Sequence, residues 1–179
     1  LMMTLLLLFV PLVAAVLVLT GGSKLAARLA LGFAVIELII SALAVKQFHV
    51  APQSLYVFHS WIDTPRVAFH LNIDGLSLLM ILLTNFLLPV IILSTFNRTI
   101  PQARGYFSLI LLMQFALNGV FMARDGLLYY IFWELALIPI YFIALRWGGP
   151  NRVHVTLKFF IYTLAGSLLM LFGFIMLYW

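Results

Sequence analysis

Six stretches of this sequence are long and apolar enough to cross a lipid bilayer, and that property decides most of what the chain can become. They run over about 2–19, 26–46, 75–96, 105–122, 127–145 and 157–178. A spanning helix needs roughly 20 predominantly apolar residues, and each stretch meets or approaches that length. Hydrocarbon offers the backbone no water, so only helices and closed barrels can span it. Barrel strands alternate polar with apolar residues, whereas these stretches are apolar all round. They are read as helices, and the fold class is an all-α membrane protein with six transmembrane helices. Composition agrees: 65% of residues are hydrophobic and 8% are charged, against about a quarter charged in a soluble domain. The first stretch is counted as a span because it lacks a basic n-region and is too long for a typical signal-peptide core. Nothing resembles a linker, a low-complexity tail or a soluble second domain.

Lys and Arg placement gives the helices a direction. Loops after spans 1, 3 and 5 hold Lys24, Arg28, Arg98, Arg104, Arg146 and Arg152, with Lys158 just inside span 6. The opposite side holds Lys46, Arg66 and Arg124. The N-terminus is therefore expected outside, with the more basic loops cytoplasmic. The bias is clean enough to make a bacterial inner (cytoplasmic) membrane the expected location, with an organelle membrane as the alternative. The net charge of +5 is accounted for by this asymmetry and does not require a nucleic-acid partner. The absence of cysteine excludes disulfides, thiol catalysis and thiolate metal sites.

The long outer loop, about 47–74, has two β-prone runs, Leu55–Ile62 and Val67–Ile73. Asp63, Thr64, Pro65 and Arg66 lie between them and supply turn chemistry. Val67, Phe69, Leu71 and Ile73 alternate with smaller or more polar neighbours. A short β-hairpin over about 55–73 is expected on the outer face. Asp74 precedes an apolar run and is expected to cap span 3. His49, His59 and His70 lie in or beside the hairpin without a compact ligand spacing, so no metal site is assigned.

Polar side chains inside a span are costly and conventionally mark function. Glu134 lies in the middle of span 5. Tyr130, Glu134, Leu137 and Tyr141 follow i, i+4, i+7 and i+11 and so share one helix face. Pro139 cannot donate to the carbonyl of Leu135, which frees an acceptor beside the acid. A buried carboxyl held between desolvation and a nearby cation can exchange protons near neutral pH, as a proton relay requires. The plain alternative is a structural hydrogen bond to a neighbouring helix. Glu37, in span 2, has only Ser41 as a polar companion at helical spacing. It is read first as an acid facing another helix or subunit, and second as a relay member. Lys158 is either a snorkelling cation or a cationic relay member. Gln114 with Asn118, Asn85 beside Pro89, and the face formed by Thr163, Gly166, Ser167, Met170 and Gly173 are read as helix-packing features.

The segments "LNIDGLSLLMILLT" (71–84), "YYIFWELALIPIYFI" (129–143) and "LKFFIYTLAGSLLMLFG" (157–173) resemble the M-type antiporter-like subunit of proton-translocating NADH:quinone oxidoreductase, respiratory complex I. They occur in the family's order, and the resemblance covers about 50–179. "DGLSL" is shared with related antiporter subunits, whereas "KFFIYTLAGSLLML" is specifically M-like. The resemblance implies that Phe132, Trp133 and Glu134 match the family's glutamate on the fifth helix, a relay acid paired with a lysine on a broken seventh helix. It implies an incomplete antiporter-like fold. Residues 1–103 would carry the N-terminal helices 1–3 and the hairpin, and 104–179 the start of the first repeat, truncated after helix 6. The sequence is thus expected to be the N-terminal portion of a longer subunit and to be inactive alone.

The function the resemblance implies is proton translocation coupled to NADH oxidation and quinone reduction, by a subunit with no redox chemistry of its own. NADH, FMN, iron–sulfur clusters and quinone would belong to partner subunits, and no cofactor or metal to this chain. Its partners would be other membrane subunits and the lipid bilayer. The alternatives are a subunit of a multisubunit cation/proton antiporter or a membrane-bound hydrogenase, or a non-translocating helical scaffold. Orientation can be tested directly, because introduced cysteines would be unique. An impermeant thiol reagent on intact cells should label Ser60→Cys and spare Ser23→Cys; the opposite pattern would invert the topology.

Overall fold

A computed structural model describes residues 2–23, 25–62, 67–96 and 98–178. Six helices follow in chain order: α1 (Met2–Thr20), α2 (Ala26–Val50), α3 (Gly75–Ser94), α4 (Ala103–Met122), α5 (Gly126–Trp147) and α6 (Arg152–Tyr178). All six are long and apolar enough to span a membrane. Two helices outrun their expected limits. α6 starts at Arg152, not near 157, and α2 continues to Val50. Apolarity marks the stretch that meets lipid, whereas polar residues such as Arg152 and Gln47 can extend a helix beyond it. Lys158 therefore lies in the second turn of α6 and not at its start.

α4 is the hub. It packs most extensively on α1 and α5, and also touches α2 and α3. Its inner face buries Phe107, Leu111, Phe115, Gly119 and Met122. α2 meets its neighbours through a small-residue stripe, Ala26, Ala30, Ala34, Ser41 and Ala44, interrupted only by Glu37. Small side chains let helix backbones approach closely, which lipid-embedded helices need because packing is their main adhesive. Gly119 serves the same end between α4 and α5. A Cβ built there would lie 2.3 Å from the ring of Phe132, itself buried and packed edge-on to Phe115 at 5.6 Å. α6 rests chiefly on α5, leaving Ile161, Tyr162, Leu169 and Phe172 exposed.

Between α2 and α3 lies the expected hairpin, β1 (Val57–Ile62) antiparallel to β2 (Val67–Leu71). Val57 pairs with Leu71 and His59 with Phe69, and the register slips between Ser60 and Ile62. The expected turn, 63–66, lies outside the described residues. The strands are shorter than the apolar runs at two ends. Leu55 belongs to a 3₁₀ turn, Pro52–Leu55, opened by proline, and Ile73 is drawn into the cap of α3. The alternation is met only in part: Val67, Leu71 and Ile73 are buried, whereas Phe69 is half-buried like its neighbours Ala68 and His70.

The hairpin is fastened to the α4–α5 connection, which the sequence did not indicate. Asn72 N–H donates to Met122 O and Arg124 N–H to His70 O, both at 2.9 Å, so Leu71 and Ala123 form an antiparallel bridge. Asp125 caps α5 through Leu127 and Leu128 N–H and also accepts from Ala68 N–H at 3.2 Å. Asp74 caps α3 as expected, accepting from Ser77 N–H at 2.7 Å, and is ion-paired with Arg124. The Ser77 hydrogen bond first, and the Arg124 guanidinium second, hold the Asp74 carboxyl well below its usual range.

Two outcomes are expected. Gly119→Ala should destabilise the bundle by about 1–3 kcal/mol, the usual range for overpacking a closed contact, read as an earlier unfolding transition in detergent. Asp74→Ala should cost about 1 kcal/mol through the lost cap, with little more from the half-exposed ion pair. Folding favours the ionised form of Asp74, so its contribution is complete above the ordinary value of 3.8 and fades as pH falls below it. Thermal melts of wild type and Asp74→Ala should therefore differ at pH 7 and converge in strong acid.

Candidate functional site

Glu134 lies midway along α5, eight residues after Gly126 and five before the buried Pro139; the helix runs unbroken through that proline. Gly126 and Asp125 start the helix cleanly, and the run that follows is too apolar to sit anywhere but in the bundle. The expected stripe is present and turns toward α6. Tyr141 packs on Phe160 of α6, with ring centroids 5.0 Å apart. Tyr130 interacts electrostatically with the Glu134 carboxylate, one turn along α5, and with Ser167 of α6. Ser167 is buried and donates to Leu164 O at 2.9 Å. Glu134 is partly buried, and its Oε1 atom is sealed from solvent with no hydrogen-bond partner among the described residues. A phenol, a carboxyl and a serine hydroxyl thus meet at the α5–α6 seam. Each can take or give a proton through a hydrogen bond. Spacing along α6 marks Ser167 as a small packing residue and carries no information on its neighbour across the seam.

A second polar cluster lies among α1–α4. Glu37 is 1% exposed, and its Oε1 accepts from Asn118 Nδ2 of α4 at 3.3 Å. The same Asn118 nitrogen donates to Leu7 O of α1 at 3.0 Å. One turn earlier on α4, Gln114 Nε2 donates to Asn85 Oδ1 of α3 at 2.8 Å. Glu37 therefore faces another helix of its own chain, as its first reading held, and its partner is one of the residues taken as packing glue. The stripe of alanines and Ser41 around Glu37 was the available signal: it places the acid on the inner face of α2.

Lys158 is exposed on α6 and makes no ion pair with Glu134. His70 is edge-on to Tyr56 at 5.0 Å and to Phe58 at 5.5 Å, so its ring is used in aromatic packing. Among the described residues no group of three His, Asp or Glu side chains could hold a metal ion.

Comparison with known proteins gives this geometry a context. Residues 123–179, which include the α5–α6 seam, match the family described as NADH:quinone oxidoreductase/Mrp antiporter, transmembrane. The chain is 40% identical over 174 residues to the F(420)H(2) dehydrogenase subunit M of Methanosarcina mazei, covering 94% of this chain and 34% of that protein. It is 33% identical over 181 residues to the NADH-ubiquinone oxidoreductase chain 4 of Mycosarcoma maydis, covering 97% and 37%. With the NADH-quinone oxidoreductase subunit M of Rickettsia conorii it shares 37% identity over 120 residues, covering 67% and 24%. The fold is also found in an archaeal respiratory membrane complex, the membrane-bound sulfane sulfur reductase. There the TM-score is 0.80 at 20% identity, over 95% of this chain and 36% of that one. Family match, relatives and shared fold agree: the chain belongs to the M-type antiporter-like membrane subunits of the NADH:quinone oxidoreductase family, and it spans about a third of the length of the relatives it matches.

Proposed function

We propose that the chain is part of a membrane subunit that moves protons in a respiratory oxidoreductase of the NADH:quinone oxidoreductase type, with Glu134 as the relay carboxylate. The observation that carries this reading is the sealed, unpartnered Oε1 of Glu134, one turn from Tyr130 on α5, inside the segment matched by the family. A carboxyl with an open hydrogen-bond position at a helix seam can accept a proton or a water chain. Pro139 supports it by leaving an acceptor free near the acid. Tyr130 would pass or orient the proton. Lys158, exposed on α6, would act at the more basic end of the path, facing chain or lipid beyond the described bundle.

Redox chemistry is assigned to partner subunits, together with NADH, FMN, iron–sulfur clusters and quinone; this chain would supply only the proton-moving part and would be inactive without them. The membrane is taken to be a bacterial inner membrane with the N-terminus and hairpin outside, on the strength of the Lys/Arg asymmetry. Residues 1–103 and 104–179 would be the N-terminal helices and the start of the first repeat. A second reading for the electron donor rests on a specific observation. The relative at 40% identity is a subunit of an F(420)H(2) dehydrogenase, so F(420)H(2) is the alternative input to NADH. The family description also admits a cation/proton antiporter; neighbouring genes for dehydrogenase or antiporter subunits distinguish these.

The test uses the complete subunit in its complex. Glu134→Gln keeps size and hydrogen bonding but cannot titrate. It should assemble normally, as judged on a native gel, and lose most proton uptake into inverted membrane vesicles together with coupled quinone reduction. NADH and F(420)H(2) are supplied in separate runs. Normal pumping in an assembled Glu134→Gln complex defeats the relay role. Failure to assemble marks the acid as a structural partner instead.

A further inference from the structure

Apart from the Glu134 seam, the cluster among α1–α4 presents an imbalance that the relay reading does not use. Glu37 Oε2, Asn118 Oδ1 and Gln114 Oε1 are buried oxygens without a hydrogen-bond partner among the described residues, and Asn85 Nδ2 is a buried donor without one. All four side chains are 0–1% exposed. The orientation of Asn118 is fixed, because its amide nitrogen serves a backbone carbonyl, Leu7 O, that can only accept. Exchanging O and N in both Gln114 and Asn85 still leaves one oxygen and one nitrogen over. Three unpartnered oxygens therefore accompany one unpartnered nitrogen in every arrangement that keeps the observed bonds.

Electrostatics points the same way. The elements packed against α2 are α1, α3, α4 and the Pro52–Leu55 turn. α1, α3 and that turn contain no titratable side chain. On α4 these are Arg104 and Tyr106, at the opposite end from Asn118, with Arg104 bonded to Gly21 O. On α2 itself Arg28, Lys46 and His49 are two or more turns from Glu37. No cation faces the Glu37 carboxyl among the described residues, and an unpaired charge sealed in a dry interior is strongly disfavoured.

We propose that Glu37, Asn118, Gln114 and Asn85 form a closed proton-and-water site in the N-terminal helices, with Glu37 in the acid form. The proton turns Oε2 from a surplus acceptor into a donor. Water, which both donates and accepts, links it to Gln114 and to the free Asn85 nitrogen; buried waters typically make about three such bonds. Asn118 holds the other carboxyl oxygen and ties the site to α1. The site is made by α2, α3 and α4, and its residues are distinct from those of the α5–α6 seam.

The test is infrared spectroscopy on the assembled complex in membranes at neutral pH, taking the difference between wild type and Glu37→Gln. Wild type should show a carboxylic-acid carbonyl band that the variant lacks. That band should shift down in heavy water and move again in Gln114→Leu, which removes one wall of the site. Carboxylate bands in place of the acid band overturn the proposal, as does an acid band indifferent to Gln114→Leu. Loss of the acid band on adding sodium chloride but not choline chloride also overturns it and assigns a monovalent-cation site instead. Glutamine reproduces the neutral acid's donor and acceptor, so Glu37→Gln should assemble. Its failure to do so would show that the charged form is required and would also overturn the proposal.

Discussion

Three hydrogen bonds from α4 to its neighbours hold this bundle in register. Ser108 donates to Ala15 O at 2.8 Å and Asn118 to Leu7 O at 3.0 Å, both on α1, while Gln114 reaches Asn85 on α3 at 2.8 Å. Lipid tails are as apolar as leucine, so burial of apolar surface by itself favours no one helix rotation, and close packing and polar contacts must choose it. A polar side chain in hydrocarbon does so, because only one rotation brings it to a partner. The bonds to Ala15 and Leu7 are spaced along α1, so they fix axial position as well as rotation. With α4 fixed, α5 follows through the Gly119–Phe132 contact and α6 through α5.

On the hairpin side the same problem is solved with main chain. β2 would otherwise end as a bare edge, open to pairing with another chain. The α4–α5 connection lies along its end, with Asp125 capping α5 and also accepting from Ala68 N–H of β2. Asp74 and Arg124 then join the start of α3 to the same connection. The N-terminal helices and the segment matched by the family are thus tied on one face by backbone and ionic contacts and in the interior by α4.

How legible was this from the sequence? Helix number and approximate limits follow from solvent: the length of an apolar run is set by bilayer thickness. Hairpin strands and the Asp74 cap follow from local chemistry, since both depend on residues within a few positions of one another. The Tyr130–Glu134–Tyr141 face was also legible, because one helix determines it. The missing information was the identity of partners across helices: Ser167 for Tyr130, Asn118 for Glu37, Arg124 for Asp74. These pairs are separated by tens of residues, and any of several polar residues could have filled each role. Glu37 is an instructive case. It was judged by its own neighbours along α2 and looked solitary, although the alanines at 26, 30 and 34 and Ser41 already placed it on the inner face.

The bridge between Leu71 and Ala123 has a consequence for how a chain of this kind can vary in length. Surface connections usually tolerate added or deleted residues, because they are free to bulge into solvent. The 123–125 connection lacks that freedom. Side chains alternate between faces along a strand, so a shift of one residue in the pairing reverses which face each presents. One residue inserted before Arg124 would displace its N–H from His70 O or turn the Asp125 carboxylate away from Ala68 N–H. It would also rotate α5 by more than a quarter turn, since each residue advances a helix by about 100°. A change of length is closed to this connection, even though it sits at the surface.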